Sequence, residues 1–375
     1  MKKIKKFHPF LITLLMIVAA LLPTGEATGK RVKFNIMRGT NIAHWLSQSG
    51  ARGSERQAFF TEADIARIAS WGFDHIRLPI DEEQMFRQDG SKDPEAFALL
   101  HNAIDSSLRH GLRVIVDMHI LRAHYFNSKN NPLFTDPAAG RRFVEVWQAL
   151  SGELHKYPLT KVAYELMNEP VADNDADWNR VYLPVYRAIR ALEPNRVIVI
   201  GSNRWQAFDK VKYLELPEGD KNIIVSFHYY NPFALTHYRT SWTDMKDYKG
   251  PVHYPGTPMR ADELQAEGSA IAKKYKWWSE PAQTYDRTRI YREMKEASDN
   301  VKAKGLRIYC GEFGALWNSP LEDRLRWFRD MISVMDELGI ARASWCYKED
   351  GFGLVDTGGK ETCEEIRLMQ TGRKK

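Results

Sequence analysis

Cysteine is scarce: Cys310, Cys346 and Cys363 are the only three in a chain of 375 residues. That is too few for a disulfide scaffold, so the fold has to rest on a buried apolar core, which a chain of this length can supply. There is no low-complexity tract, no interdomain linker and no block of like charge. The formal net charge is +6, but basic and acidic residues are interspersed, as on a solvated surface. A nucleic-acid footprint needs a basic cluster beside a recognition element, and none stands out. No glycine-rich loop follows the late apolar runs, which disfavours a phosphate site.

One apolar run is present near the start. Phe10–Leu22 follows Lys2, Lys3, Lys5 and Lys6 and precedes Pro23, Gly25 and Ala27. It is too short for a comfortable membrane span, and its charged start and small-residue end read as a secretory signal removed near Ala27. An uncleaved anchor is the alternative. No cysteine follows the run, so a lipid anchor on such a residue is not supported. The expected organisation is a signal over residues 1–27 and a single domain over residues 28–375, secreted, periplasmic or at the cell surface, with no stable membrane insertion after cleavage.

Eight short apolar or β-branched runs then recur: Phe34–Ala43, His75–Ile80, Arg113–Ile120, Lys161–Pro170, Arg196–Asn203, Ile223–Asn231, Arg307–Ala315 and Ala341–Lys348. Amphipathic stretches lie between them, among them Glu62–Trp71, Phe97–His110, Gly140–Leu154, Trp178–Leu192, Arg287–Lys304 and Glu322–Leu338. Thr61 and Asp136 are placed to cap helix starts, and Gly111, Gly305 and Gly339 to end helices before the next strand. Strand–helix alternation implies right-handed crossovers and a parallel sheet, and eight such units imply a closed (β/α)8 TIM barrel of the α/β class. The connection from Asn231 to Arg287 is out of proportion. It is rich in aromatics, including Phe233, Tyr238, Trp242, Tyr248, Tyr254, Trp277 and Trp278, and is expected to wall a cleft.

A TIM barrel places its site at the C-terminal ends of the strands. There the chain delivers Asn41, His44 and Trp45, then Arg77, then Asp117 and His119, then Asn168 and Glu169. Further on come Asn203 and Trp205, His228 and Tyr230, Glu312, and finally Trp345 and Tyr347. The segment Tyr164–Pro170 (YELMNEP) ends an apolar strand in an amide, a carboxylate and a proline, which is poor packing chemistry. Ile308–Ala315 (IYCGEFGA) does the same with Glu312. Two carboxylates on nearly opposite strands are the equipment for cleaving a glycosidic bond, one protonating the leaving oxygen and the other attacking the anomeric carbon or activating a water. Arg77 is the cation for Glu312, and Tyr230 a hydroxyl donor to it. Asn168 is suited to a sugar 2-hydroxyl and Trp345 to the face of a pyranose. Asn168 and Glu169 are neighbours, so strict alternation would separate them; both reach the site only if the strand ends or bulges there.

The remaining polar residues have plainer readings. Arg77 also suits a fold-stabilising pair with Asp117 or Glu165. Glu165, low in its strand, and Asp117 read as structural. His119 and His228 taken singly are equally core histidines. His44 and His124 divide between site and surface, Trp45, Trp205 and Trp317 between packing and sugar platform, and Tyr347 leans to packing. If Glu312 points inward, alternation puts Cys310 inward too; if Trp345 points inward, Cys346 points outward. A bridge between those two cysteines is then disfavoured.

Taken together these pieces resemble glycoside hydrolase family 5, the cellulase-like retaining β-glycosidases of clan A. The likeness is carried by Arg77 in HIRLP, His119 in VIVDMHI, Asn168-Glu169-Pro170, His228 and Tyr230 in SFHYY, Glu312 in GEFGA and Trp345 in ASWCYKE. It implies Glu169 as acid/base, Glu312 as nucleophile and no cofactor or metal, with Arg77, His119, Asn168, His228, Tyr230 and Trp345 in support. The third strand in this group often continues with a second histidine, where this chain has Ile120. The implied function is hydrolysis of a β-linked polysaccharide, endo-β-1,4-glucanase-like. The alternatives are the same mechanism on mannan, xyloglucan or a terminal sugar, and a non-catalytic carbohydrate-binding barrel. A metal-dependent hydrolase built on His119, His228 and the two glutamates is disfavoured by the scattered ligands and the absence of a His-x-His on the first strand.

Overall fold

The structure, a computed structural model, describes residues 30–372; the expected signal lies outside the described residues. Eight parallel strands close into a barrel in sequence order. They are β1 (Arg38–Asn41), β2 (His75–Asp81), β3 (Arg113–Ile120), β4 (Val162–Glu165), β5 (Ile198–Gly201), β6 (Ile223–Tyr229), β7 (Arg307–Phe313) and β8 (Ala341–Ser344). Each run read as a strand holds one, with β2 running one residue further to Asp81. β1, β4, β5 and β8 stop several residues short of their apolar runs, and the leftover residues form the barrel mouth.

The expected helices are present at Glu62–Trp71, Pro94–Arg109, Pro137–Leu154, Asp175–Leu192, Arg287–Ala303 and Leu321–Leu338. Thr61 closes a capping box with Asp64, and Asp136 accepts from the Ala138 N–H. Between β5 and β6 lie only two short segments, the irregular helical turn Asn203–Gln206 and the 3₁₀ helix Phe208–Tyr213, which explains why no amphipathic stretch is legible there. Among the described residues no helix is long and apolar enough to cross a membrane.

The barrel interior changes character with height. Its lower part is apolar: Phe34, Ile115, Ala163, Val197, Val199, Ile224, Tyr309, Ala341 and Ala343 form one cluster, with Phe34 entering from the segment before β1. A second and larger cluster lies between the sheet and the helices. Above the apolar layer the interior positions carry charge, and this is the floor of the site.

Short strands leave carbonyls without ladder partners, which would be costly in a buried place. Three fully buried tryptophans from the surrounding helices meet that need. The indole N–H of Trp147 donates to the Leu166 carbonyl at 2.8 Å, that of Trp178 to Gly201 at 2.9 Å and that of Trp327 to Asn231 at 2.9 Å. Each indole therefore packs its helix and ties off a strand end in one move.

Alternation fails on β7. Tyr309 faces the interior and Cys310 the outer core, yet Glu312 is inward again. The reason is a bulge: Phe227 pairs with Cys310 and the next residue, His228, with Glu312, so Gly311 is extra. Cys310 is thus outward, contrary to the alternation estimate. Cys346 lies beyond the end of β8, where alternation no longer applies, and joins Ala43 and Trp345 at the barrel mouth instead of facing the helices. All three cysteines are free thiols.

Replacing Trp147 by Phe keeps most of the packed ring but orphans the Leu166 carbonyl, a loss of about 1–3 kcal/mol. Thermal unfolding should show a melting temperature lower by several degrees; an unchanged one would mean that this hydrogen bond does not hold the β4 end.

Candidate active site

The segment after β4 answers the adjacency problem. β4 ends at Glu165, so Asn168 and Glu169 lie outside the pleat. Glu169 has φ of +45°, a left-handed conformation that a non-glycine residue adopts only when its surroundings fix it. Those surroundings are a set of hydrogen bonds to the main chain. Leu166 donates to Val199 at 3.1 Å, Asn168 to Met118 at 2.9 Å, and Glu169 to the Gln206 side-chain oxygen at 2.9 Å. Further on, Val171 donates to His124 Nε2 at 3.3 Å and Ala172 to Asn203 Oδ1 at 2.9 Å.

Gln206 was not legible as a site residue. It follows Arg204 and Trp205, and all three have positive φ. This turn sends Trp205 outward and the Gln206 side chain back into the barrel. There Gln206 also donates to Ser226 Oγ at 2.9 Å and to Glu165 Oε1 at 3.3 Å. A methyl group on Gly201 would meet the Gln206 side chain at 2.5 Å, so the glycine is what admits it.

Arg77 occupies the centre of the floor and has no solvent exposure. Its Nε donates to Glu165 Oε2 at 2.7 Å, and one terminal nitrogen donates to Asn41 Oδ1 at 2.9 Å and Glu312 Oε1 at 2.7 Å. The other reaches Glu165 Oε1 at 3.1 Å, Asn168 Oδ1 at 2.8 Å and Asp117 Oδ2 at 3.1 Å. The guanidinium is therefore both the fold-stabilising partner and the cation for Glu312. Asp117 Oδ2 also meets His119 Nδ1 at 2.7 Å, and the His119 ring lies parallel to Trp345, with centroids 5.5 Å apart.

The two glutamates face each other across this floor with different company. Glu312 Oε2 accepts from the Tyr230 hydroxyl at 2.9 Å while Oε1 accepts from Arg77. Glu169 Oε1 meets His228 Nδ1 at 2.9 Å. One oxygen from each glutamate and a ring nitrogen of His228 all lie within 4.8 Å of one another. Burial raises both carboxyl pKa values. The Glu312 charge raises Glu169 further, whereas Arg77 and the Tyr230 hydroxyl hold Glu312 back. The pair titrates as a unit, with the proton resting on Glu169. Burial, then the Arg77 charge, keeps His119 and His228 well below the usual histidine range, so both are neutral. Burial also lifts Asp117 to about 7 against the pull of Arg77.

The carboxylates and His228 have the donor types of a cation site. Their surroundings do not fit one. Both Glu312 oxygens are already taken by Arg77 and Tyr230, and a buried guanidinium 2.7 Å away repels a second cation.

A cleft of about 700 Å³ opens above the pair. Trp345 and His44 line it, with Phe126 and the exposed Trp205 on the β3–β5 side and Phe233, His237, Trp242 and Phe352 on the β6–β8 side. The Asn168 Nδ2 is buried with no protein partner, a donor left free at the edge of the pair. All eight candidate residues, Arg77, His119, Asn168, Glu169, His228, Tyr230, Glu312 and Trp345, thus meet at one place.

Other expectations are revised. His124 belongs neither to the site nor to the surface; it is buried, packs on Phe134 and supports Val171. Trp45 is core, its indole N–H donating to Arg56 at 2.7 Å, and Trp317 donates to Gly353 at 3.1 Å. Tyr347 packs as expected, with its hydroxyl on Asp64 at 2.8 Å. Glu349, unforeseen, lies 3.5 Å from His44 in the cleft wall; burial lowers the His44 pKa, but the hydrogen bond and charge of Glu349, with the Gln48 carbonyl and Asp81, together raise it.

Comparison with known proteins bears on this geometry. A family model described as Cellulase (glycosyl hydrolase family 5) matches residues 26–351. Endoglucanase C of Acetivibrio thermocellus is 30% identical over 342 residues, spanning 90% of this chain and 98% of that protein. Cellodextrinase A of Ruminococcus flavefaciens is 28% identical over 343 residues, spanning 90% and 93%. Among solved structures, a hyperthermophilic endo-β-1,4-glucanase in complex with substrate superposes with a TM-score of 0.73 at 25% identity, covering 90% of this chain and 97% of that one.

Arg77→Met would strip the cation from three buried carboxylates, a loss on the order of 3–5 kcal/mol at pH 7. The raised folded-state pKa values of Asp117 and Glu165 fix the sign. Their contribution to stability is greatest below the unfolded values near 4 and is lost as pH climbs toward the folded ones. Without the cation the folded values rise further. Urea unfolding should therefore show a smaller deficit at pH 5 than at pH 7; equal deficits would contradict this account of Arg77.

Proposed function

This chain belongs to glycoside hydrolase family 5, and on that premise we propose that it cleaves internal β-1,4 bonds of a glucan with retention of configuration. The observation that carries the reading is the pair of opposed carboxylates with oxygens less than 4.8 Å apart, one tied to a guanidinium and a phenol and the other to a neutral imidazole. Retaining enzymes keep their carboxyl groups about 5–5.5 Å apart, whereas inversion needs room for a water between them.

In this reading Glu312, ionised by its donors, attacks the anomeric carbon while Glu169 gives its proton to the departing glycosidic oxygen. The C–O bond to the leaving sugar breaks as the ester to Glu312 forms. Glu169, now a carboxylate, takes a proton from water, which attacks the anomeric carbon from the face the leaving sugar vacated, opposite Glu312, and the ester bond breaks to return Glu312 as a carboxylate. Asn168 offers its free Nδ2 to the 2-hydroxyl, where bonding strengthens in the transition state. Trp345, backed by His119, carries the ring. The substrate is a neutral polysaccharide, for which a cleft with exposed aromatic groups on both of its sides is suited. The signal expected over residues 1–27 supports export, which a polymer too large to enter a cell requires.

The test is a panel of β-glucans, mannans, xylans and aryl cellobiosides. Wild type should release internal oligosaccharides from a β-1,4-glucan, and Glu312→Gln should remove turnover on every substrate without unfolding the protein. Glu169→Gln should lower polymer cleavage by roughly 10²–10⁴-fold, and aryl cellobiosides with acidic phenols, which leave without protonation, much less. The alkaline limb of kcat/KM reports loss of the Glu169 proton, so it should vanish in Glu169→Gln. Near-normal activity of Glu312→Gln would overturn the assignment.

A further inference from the structure

The segment between β6 and the helix Arg287–Ala303 is more than a wall. It folds into short helices around its own buried tyrosines and is fastened to the barrel. Tyr238 donates to Gly250 at 2.6 Å, Tyr248 to Pro251 at 2.6 Å, and Tyr254 to Asp330 on the helix Leu321–Leu338 at 2.7 Å. A unit this well packed had the means to bury its tryptophans, yet Trp242 is 60% exposed and Trp277 52% exposed. Exposed indoles this large lose the stabilisation that burial of an aromatic side chain brings.

A second cavity, of about 680 Å³, lies under these indoles. Phe233, Trp242, Thr243, Lys274, Trp277 and Trp278 line it, and the first three also line the catalytic cleft. The two spaces therefore adjoin across Phe233 and Trp242. Trp278 is half-buried against the core, and Trp277 stands nearly perpendicular to it, with ring centroids 4.5 Å apart. The first indole buttresses the second, which holds its orientation while it stays open to solvent. Hydroxyl and ammonium groups of Thr243 and Lys274 fringe the shelf.

We propose that the shelf of Trp277 and Trp278 is a distal binding site for the same β-glucan chain, seating sugar units beyond those held over Glu169 and Glu312. The proposal rests on the functional reading above. The exposed Trp277 face, propped by Trp278 and with a polar fringe, suits a pyranose, whose axial hydrogens face the ring and whose hydroxyls point outward. The continuity with the cleft selects this occupant over a protein partner: a chain leaving the cleft past Trp242 enters the cavity that Trp277 and Trp278 line. The shelf makes affinity depend on chain length, and leaves bond cleavage itself to the barrel floor.

The experiment compares the double variant Trp277→Ala/Trp278→Ala with wild type on a β-1,4-glucan polymer and on an aryl cellobioside too short to span both places. The polymer KM should rise about tenfold, the factor that corresponds to ~1.4 kcal/mol, with kcat on the aryl cellobioside unchanged. An unchanged polymer KM overturns the proposal. An equal loss on both substrates also overturns it, because the pair is then structural. Binding is measured separately by retardation in native gels containing the uncleaved glucan, with both forms carrying Glu312→Gln. Retardation should weaken in the double variant, and equal retardation overturns the shelf. If wild type cleaves nothing while the double variant loses retardation, the hydrolase reading fails and the shelf stands.

Discussion

A single buried guanidinium holds this site together. Arg77 has every N–H engaged, on acceptors supplied by β1, β3, β7 and the β4 end. Those acceptors are far apart in sequence, and only closure of the barrel brings them round one side chain. A lone positive charge among the carboxylates of Asp117, Glu165 and Glu312, with Glu169 beside them, cannot neutralise the set. The surplus has to be carried as protons, and the geometry decides where they rest. Glu312, bound to Arg77 and Tyr230, is the better place for negative charge; Glu169, beside a neutral His228, is the better place for a proton. Two identical side chains settle into opposite charge states because of what surrounds them.

Positioning is the second requirement, and it is met by breaking regularity. β4 stops before its last apolar residues, so that Asn168 and Glu169 both face the cleft. β7 carries an extra residue at Gly311, which turns Glu312 inward. The glycine is needed there because a side chain would meet Ser226 Oγ at 2.8 Å and His228 Nε2 at 3.1 Å. Each irregularity is held from behind: the β4 end by Trp147 and Gln206, the bulge by its pairing to β6. Strain at a functional residue persists where its neighbours over-determine it.

Much of this was legible in the chain. Asn168-Glu169-Pro170 and Glu312 between two glycines advertise themselves, because carboxylates at the ends of apolar strands have no packing purpose. The barrel was legible from the alternation of runs, and Arg77 from its charge inside one of them. What could not be read depends on contacts between distant segments. Gln206 looks like an ordinary loop amide until the three positive φ values turn it inward. The bulge at Gly311 has no signature beyond a glycine, so period-two reasoning put Cys310 on the wrong side. His124 divided between site and surface, and only its burial against Phe134 shows it to be a prop. Within the long insertion, aromatic richness was plain, but not which rings would be packed inside and which left standing in solvent.

The claim on which the rest depends is that Glu312 forms a covalent bond to the sugar while Glu169 manages the proton. A 2-deoxy-2-fluoro cellobioside with a reactive leaving group slows both steps and lets the glycosyl-enzyme accumulate, so mass spectrometry of peptides from the treated protein tests the claim directly. One fluorocellobiosyl group should be found on the peptide carrying Glu312, with release of one leaving group per enzyme molecule. Label on Glu169, or steady turnover of the compound with no label and with inverted product, would contradict it.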